Sequence, residues 1–555
     1  MRDMRSVDTQ RRHCLKLTLM SSSLIECRNH ENGLPMNVLR STGLQISLGE
    51  SITRSAHNKP DHPSFLFPDG THHTFDQTNA RVNRLVSALA AQGIGAGDRL
   101  AVFSRDSHRY VEIVLAALKL GAVYVPLNYR LRRSEIDVLV GRAAPVAFFY
   151  DVRYDELLAD VAEHHRSIRL FASMNERPGE VVSEYETLLA SGVEVEPSVV
   201  ATDTDVIGLA FTSGTTGLPK AVLQSQRMIK AIVTEQLLEY RCRADDVRYS
   251  AAPTYHITGI CQMLMGIAGT FPSLVVPQFN AQTTMDFLVE DKLTAVFLVP
   301  TMISTLLQLD GIEDHSYERL RLMYYGAAAM SPTLLSRAMS IFDCDFLNAF
   351  GAGTEAGLQA VLTPEDHRRA LDGSPELLGS IGQPAYGVAL RIVDDQLEDV
   401  PVGTVGEIAT RSDMLMDGYL DMHEETDRCF RGGWFRAGDL AYMDKAGYLY
   451  LAGRDKDMIV RGGENIFPLE IETVLAEHPA VSQSAVVGVP DEHWSETVRA
   501  WIALKAGATV SAGELVAHCA DRLAKYKVPS DFKFVDELPT NASGKILKRV
   551  LRTRD

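Results

Sequence analysis

At 555 residues, with 46% hydrophobic and 23% charged side chains, the chain has an ordinary globular composition and is long enough for three or more structural units, at roughly 100–200 residues each. A formal net charge of −17 excludes an extended basic nucleic-acid surface, while leaving room for local basic pockets that hold anions. The cysteines Cys14, Cys27, Cys242, Cys261, Cys344, Cys429 and Cys519 include no C-x-x-C pair, which excludes a zinc ribbon or disulfide framework and fits reduced thiols in the cytoplasm.

Residues 1–35 read as a disordered extension. Gln10 to Lys16 faintly resembles a twin-arginine export signal, but the apolar stretch after it is short and carries serines and then Glu26. Without an export signal the expected location is the cytoplasm, and Met36 is a second candidate start. From Val38 to Lys59 the pattern is helical. It leads into strand-like Ser64–Phe67 and a Pro-Asp-Gly turn at 68–70. Phe75 to Gln92 carries Val82, Leu85, Val86 and Leu89 at helical spacing, with Gly93 as a stop. Arg99–Phe103, Ala122–Pro126 and Val146–Tyr150 read as strands, with a helix over Tyr110–Leu120 between the first two. This alternation implies crossover connections and a mostly parallel sheet.

Helix-like Met228–Tyr240 continues the alternation. Ile257 to Met285 holds no charged residue and could span a bilayer by length. Gly259, Gly266, Gly269, Pro272 and Ser273 cut it into a helix-sized piece and a strand over Ser273–Val276, so a buried αβ element is expected. Leu320–Tyr325 is again strand-like. After Ile381 short strands dominate, such as Ala389–Val393 and Gly406–Thr410, and imply a β-rich subdomain. Past Gly453 the pattern returns to αβ, with Glu470–Glu477 and Gly513–Leu523 helical and Ser484–Val489 a strand. The natural split is a large unit up to about residue 452 and a small one from about 457.

Chemistry concentrates in Phe211 to Val222, reading Phe-Thr-Ser-Gly-Thr-Thr-Gly-Leu-Pro-Lys-Ala-Val behind the apolar run Val206–Phe211. A polar, glycine-rich turn after a buried strand presents backbone N–H groups and hydroxyls to one point, as a nest for phosphate oxygens. It is not a Walker loop, because Lys220 follows Pro219 and precedes Ala221. Four further stretches accompany it: Ala252-Pro-Thr-Tyr-His-Ile-Thr-Gly259; Tyr325–Met330 with Asn348-Ala-Phe-Gly-Ala-Gly-Thr-Glu355; Gly433-Trp-Phe-Arg-Ala-Gly-Asp439 with Gly453-Arg-Asp-Lys-Asp457 and Arg461-Gly-Gly-Glu-Asn-Ile466; and Leu538-Pro-Thr-Asn-Ala-Ser-Gly-Lys545.

From about residue 45 to 552 this set resembles the acyl-adenylate-forming superfamily of acyl-CoA synthetases, firefly luciferase and peptide-synthetase adenylation domains. The resemblance implies an α/β fold: a large N-terminal domain (36–454) of mixed, mainly parallel sheets with helices and a β-rich subdomain, a hinge at 455–456, and a small mobile C-terminal α+β domain (457–555). It implies an ATP-dependent carboxylic acid–CoA ligase that uses Mg²⁺, forms acyl-AMP and then passes the acyl group to coenzyme A. In that frame Thr212, Ser213, Gly214, Thr215, Thr216, Gly217 and Lys220 hold phosphates. Gly326, Ala327, Ala328, Asn348, Phe350 and Gly351 belong to the adenine element. Thr354 donates to a phosphate, and Glu355 with Thr215 holds the metal, a hard cation that wants oxygen ligands.

The same resemblance gives the ribose hydroxyls to Asp439 and Arg454, the hinge to Lys456, and the pantetheine path to Gly462, Gly463 and Glu464. His256 is placed at the wall of the acyl pocket. Lys545 is the catalytic cation between the carboxylate and the α-phosphate. The chain departs from the family pattern at Ala221, where Gly is usual, at Ser225-Gln226, where His is common, and at 350–354, where Phe replaces Tyr and one residue is added. The stretch around His256 has no Asp to hold a substrate ammonium, which argues for a simple carboxylic acid. Apolar residues 257–267 and small residues 326–329 suit a medium or long fatty acid, and an aromatic acid also fits. A carrier-protein pantetheine remains an alternative acceptor, a homodimer is left open, and a luciferase-like activity or a non-catalytic nucleotide-binding scaffold ranks below these readings.

Overall fold

A computed structural model describes residues 47–198, 202–212, 219–328, 330–462, 464–491, 493–540 and 546–554. The expectation for residues 1–35 falls outside the described residues, and of the helix expected over Val38–Lys59 the described part is Glu50–Asn58.

Two sheets carry the large part of the chain. The first runs in the order Gly418–Tyr419, Lys220–Ser225, Val206–Thr212, Val123–Leu127, Arg99–Phe103, Ala147–Tyr150, Leu170–Ser173. The second runs Gln383–Pro384, Leu358–Leu362, Asp345–Gly351, Leu322–Gly326, Ala295–Leu298, Arg248–Ser250, Ser273–Leu274, Pro63–Leu66, His72–Thr74. Interior pairs are parallel, as between Arg99–Phe103 and Val123–Leu127, whereas antiparallel pairing is confined to the edges. The parallel strands read as continuous apolar runs because helices cover both faces.

Local chemistry explains the element boundaries. The helix Phe75–Ala91 starts at Thr74, whose hydroxyl accepts from the Gln77 N–H at 3.2 Å while the Gln77 side chain accepts from the Thr74 N–H at 3.0 Å. It buries Val82, Leu85, Val86 and Leu89, and the chain leaves it at Gly93, with φ +72°.

The uncharged 257–285 stretch folds as the helix Ile257–Gly269 and the strand Ser273–Leu274. A side chain at Gly259 would meet the Pro253 carbonyl oxygen at 2.1 Å, so this glycine marks close packing inside the protein. Among the described residues no helix is long and apolar enough to cross a membrane. The strand is shorter than the expected Ser273–Val276, although the Val275 N–H still donates to the Leu66 carbonyl at 2.9 Å.

The β-rich part is an antiparallel sheet of Ala389–Val393, Gly406–Arg411, Trp434–Met443 and Phe430–Arg431, with Leu449–Arg454 on Trp434–Met443. A fourth sheet joins Ile459–Arg461, Glu464–Ile466, Val481–Asp491, Ser495–Leu504 and Asp531–Val535. The helices Pro468–Ala476 and Ala512–Ala520 share its core through Ile471, Leu475, Leu515 and Cys519.

Candidate active site

The phosphate-nest segment joins an antiparallel hairpin. Thr212 at the end of one strand sits opposite Lys220 at the start of the next. A Walker loop instead leads from a strand into a helix, so the difference from that pattern extends from sequence to topology. Ser213, Gly214, Thr215, Thr216 and Gly217 lie outside the described residues, as do Gly463 and Lys545. The Ser225-Gln226 departure has a structural use. Ser225 caps the helix Gln226–Glu239, and the buried Gln226 amide oxygen accepts from the Ser47 hydroxyl (3.0 Å) and the Leu48 N–H (3.1 Å).

Glu355 closes a short 3₁₀ turn, Gly353–Glu355, after the strand Asp345–Gly351. Its Oε1 accepts from the Thr212 hydroxyl at 3.1 Å and from the Tyr419 hydroxyl at 3.3 Å. Burial lifts this carboxyl above its ordinary range; the Thr212 bond leads the opposing effects, which include Tyr419 and the Arg454 charge. Tyr419 arrives because the strand Gly418–Tyr419 pairs with the second hairpin strand. The Lys220 ammonium bonds Glu425 at 2.6 Å and lies 4.8 Å from the Tyr419 ring centre. Thr212, Lys220 and Glu355 therefore meet through Tyr419 and Glu425, which sequence reasoning missed; only the strand pairing reveals them. The oxygen donors gathered here, a carboxylate with hydroxyls beside it, match the ligands Mg²⁺ takes.

The adenine element shows close backbone approach. A side chain at Gly326 would meet the Ala349 carbonyl oxygen at 2.3 Å, and one at Gly351 would meet that of Gly357 at 2.2 Å. Ala327 holds φ +67°, an uncommon conformation for a residue with a side chain, and Ala327 and Ala328 are exposed. Asn348 pairs with Tyr325 in the ladder. Phe350 faces Ala360 and Gly351 faces Leu358, so Gln359 bulges from the partner strand. The added residue before Thr354 is absorbed in the turn that Gly353 opens at φ +65°.

Phe350 and Asp439 line one small cavity, with Gln359, Thr410 and Phe435. Asp439 sits opposite Arg454 between adjacent strands, and their side chains form an ion pair of 2.8 Å. Lys456 follows in the 3₁₀ turn Asp455–Asp457, where its carbonyl accepts from Arg552 at 3.0 Å. Gly462, at φ +60°, donates its N–H to the Trp494 carbonyl at 2.8 Å, and Glu464 stands exposed on the next strand. Thr540 and Ile546 form an antiparallel bridge on either side of 541–545.

His256 occupies the position just before the helix Ile257–Gly269, without a capping bond from its side chain. Burial, reinforced by Arg130, lowers its imidazole to about 4, so it is neutral at pH 7. Arg130 lines a cavity of about 110 Å³ with Asp106, Tyr129, Ser250, Pro253 and Met302. The Asp106 carboxylate accepts from both the N–H and the hydroxyl of Thr254, fixing the turn that presents His256. Asp106 and Arg130 were not singled out from sequence, where neither sits in a motif.

The family model of AMP-binding enzymes matches residues 52–420, and that of the AMP-binding enzyme C-terminal domain matches 470–545. The chain belongs to the AMP-binding enzyme family. It is 31% identical over 515 residues to a fatty acid–[acyl-carrier-protein] ligase of Streptomyces coeruleorubidus, covering 92% of this chain and 96% of that protein. It is 32% identical over 510 residues to a feruloyl-CoA synthase of an Amycolatopsis species, covering 91% and 99%. ATP-bound MatB of Rhodopseudomonas palustris superposes with a TM-score of 0.83 at 26% identity, over 91% of this chain and 98% of that one. Family membership makes this chain an acyl-adenylate-forming, acid–thiol ligase, and AMP-binding enzymes of this class use ATP and CoA. The expected α/β fold is the one observed.

Proposed function

We propose that the chain activates a medium- or long-chain fatty acid and transfers it to coenzyme A. The observation that carries the substrate class is the helix after His256. Ile257, Ile260, Met263, Leu264 and Ile267 are buried on it, and it carries no charged residue. An apolar, uncharged helix directly after His256 suits an alkyl chain. A second reading, an aryl acid or a carrier-protein acceptor, is favoured by the names of the relatives at 31% and 32% identity.

In the first step the substrate carboxylate oxygen attacks the α-phosphorus of ATP. The bond to the bridging oxygen breaks, and acyl-AMP and pyrophosphate result. Residues 212–217 and Lys220 hold the β- and γ-phosphates. Glu355 and Thr215 would hold Mg²⁺, which neutralises phosphate charge, and Thr354 donates to a phosphate oxygen. Phe350 with Gly326–Ala328 encloses adenine, and Asp439 with Arg454 holds the ribose. Lys545 places one cation between two anions that otherwise repel, where charge grows on the phosphoryl oxygens. In the second step the small domain, 457–555, turns about Lys456 and brings Gly462, Gly463 and Glu464 to the site. The CoA sulfur then attacks the acyl carbonyl, its proton passes to solvent, and AMP leaves.

A panel of aliphatic and aromatic acids, scored by AMP release with CoA or a holo-carrier protein, tests the assignment. Preference for chains of about eight carbons or more with CoA supports it, at roughly 0.8 kcal/mol per buried methylene. Preference for an aryl acid, or for the carrier protein, transfers the assignment to the second reading. Pyrophosphate release independent of added acid would remove the ligase reading altogether.

A further inference from the structure

Away from the ATP site, His73, His108 and Glu112 converge between the edge strand His72–Thr74 and the helix His108–Leu120. His108 and Glu112 are four residues apart on one helix face. His73 comes from the opposite element, at the edge of the nine-stranded sheet. One ligating atom from each residue lies within 4.8 Å of the others.

The cluster has an unmet demand. His73 Nδ1 is buried without a hydrogen-bond partner, 3.9 Å from Glu112 Oε1, and a buried ring nitrogen left unpaired is destabilising. Glu112 is fixed from behind: Arg81 bonds it at 2.7 Å and 3.1 Å, and the Tyr185 hydroxyl donates to it at 2.8 Å. Arg81 is in turn shared with Glu186 at 2.8 Å, which offsets its charge near the cluster. Carboxylates that ligate metals are oriented by outer partners of this kind.

We propose that His73, His108 and Glu112 form a binding site for a divalent transition-metal ion, with zinc the occupant that two imidazoles and one carboxylate fit best. Three protein ligands leave a fourth position for water. Bonds of about 2.0–2.2 Å require the donors to draw closer than they stand, which rotation of the two imidazoles supplies. Burial lowers both imidazoles below their ordinary range, leaving them in the neutral form that ligates. The ion would tie the edge of one sheet to a helix packed on the other.

The test uses the full-length protein stripped with a chelator. Calorimetric titration with zinc, melting curves with and without zinc, and the visible spectrum after cobalt loading are compared for wild type, His73→Gln, His108→Gln and the double variant. The wild type is expected to bind one zinc per chain, to melt higher with zinc, and to show the intense visible bands of four-coordinate cobalt. Each single variant is expected to bind at least about tenfold more weakly. The double variant should lose the zinc-dependent rise in melting temperature while AMP formation with Mg²⁺ stays within about twofold. Undiminished zinc affinity in the double variant overturns the site. So does a wild type that binds no zinc, or whose cobalt spectrum is that of the hydrated ion, and neither result depends on a variant folding.

Discussion

Asp439 and Arg454 face each other on adjacent antiparallel strands, joined by an ion pair of 2.8 Å, and Asp439 lines the same small cavity as Phe350. The ladder register alone brings them together from the two glycine-flanked motifs. Asp439→Asn keeps the shape but removes the charge that, in the proposed function, accepts both ribose hydroxyls. The expected result is a rise of about tenfold or more in KM for ATP, with a smaller change in kcat. Steady-state pyrophosphate release against ATP concentration measures it, and an unchanged KM would remove the ribose role.

The Tyr419 hydroxyl is the contact to Glu355 that the hairpin supplies. Tyr419→Phe leaves the ring under the Lys220 ammonium and deletes that hydrogen bond together with a long contact to Cys429 Sγ at 4.0 Å. Adenylation is expected to slow by roughly fivefold, the worth of one hydrogen bond of about 1 kcal/mol, and its Mg²⁺ dependence should move to higher concentration. A magnesium titration of the adenylation rate checks both.

Lys220 is held by Glu425 at 2.6 Å. Removing the carboxylate charge frees the ammonium for the polyphosphate. Glu425→Gln is therefore expected to lower KM for ATP a few-fold, and Lys220→Ala to raise it by about tenfold, since each charge-assisted bond is worth roughly 1.5–3 kcal/mol. In the double variant the effect of Glu425→Gln should vanish, because its target is gone. Independent, additive effects would show that the pair is not coupled to ATP binding.

His367 provides a pH signature of the fold. It is buried, bonded to the Tyr325 hydroxyl at 3.0 Å and to the Thr363 carbonyl, and burial lowers its imidazole to about 4. Between pH 6.5 and about 4 the unfolded chain takes up a proton that the folded one refuses. Stability therefore falls as pH drops through that window, by about 3 kcal/mol. Urea unfolding of wild type and His367→Gln from pH 4 to 7 measures it. The variant should show a shallower loss, and parallel curves would contradict the assignment.

The alternation of strands and helices was legible because buried parallel strands are short apolar runs, as Arg99–Phe103 shows, and because caps such as Thr74 with Gln77 announce helices. The 257–285 stretch was readable for the opposite reason: its glycines interrupt a span that charge alone would have allowed. The order of strands within each sheet could not be read, since it depends on which strands pair. The site residues with motif chemistry, Glu355, Asp439, Arg454 and Lys220, stood out by their neighbours in sequence. Tyr419, Glu425, Asp106 and Arg130 did not, because each reaches the site through a partner distant in sequence, 64 to 205 residues away, or through a plain loop. The His73, His108 and Glu112 cluster was equally silent: its i, i+4 pair becomes a cluster only when an edge strand supplies the third side chain.

The central claim is a two-step ligase in which Lys545 serves only the first step, and separate assay of the half-reactions of Lys545→Ala tests it most directly. Acid-dependent pyrophosphate release should fall by about a hundredfold or more, as for loss of one charged group at a transition state. Thioester formation from supplied acyl-AMP and CoA should stay within a few-fold of wild type. Equal loss in both half-reactions, or in neither, would contradict the account.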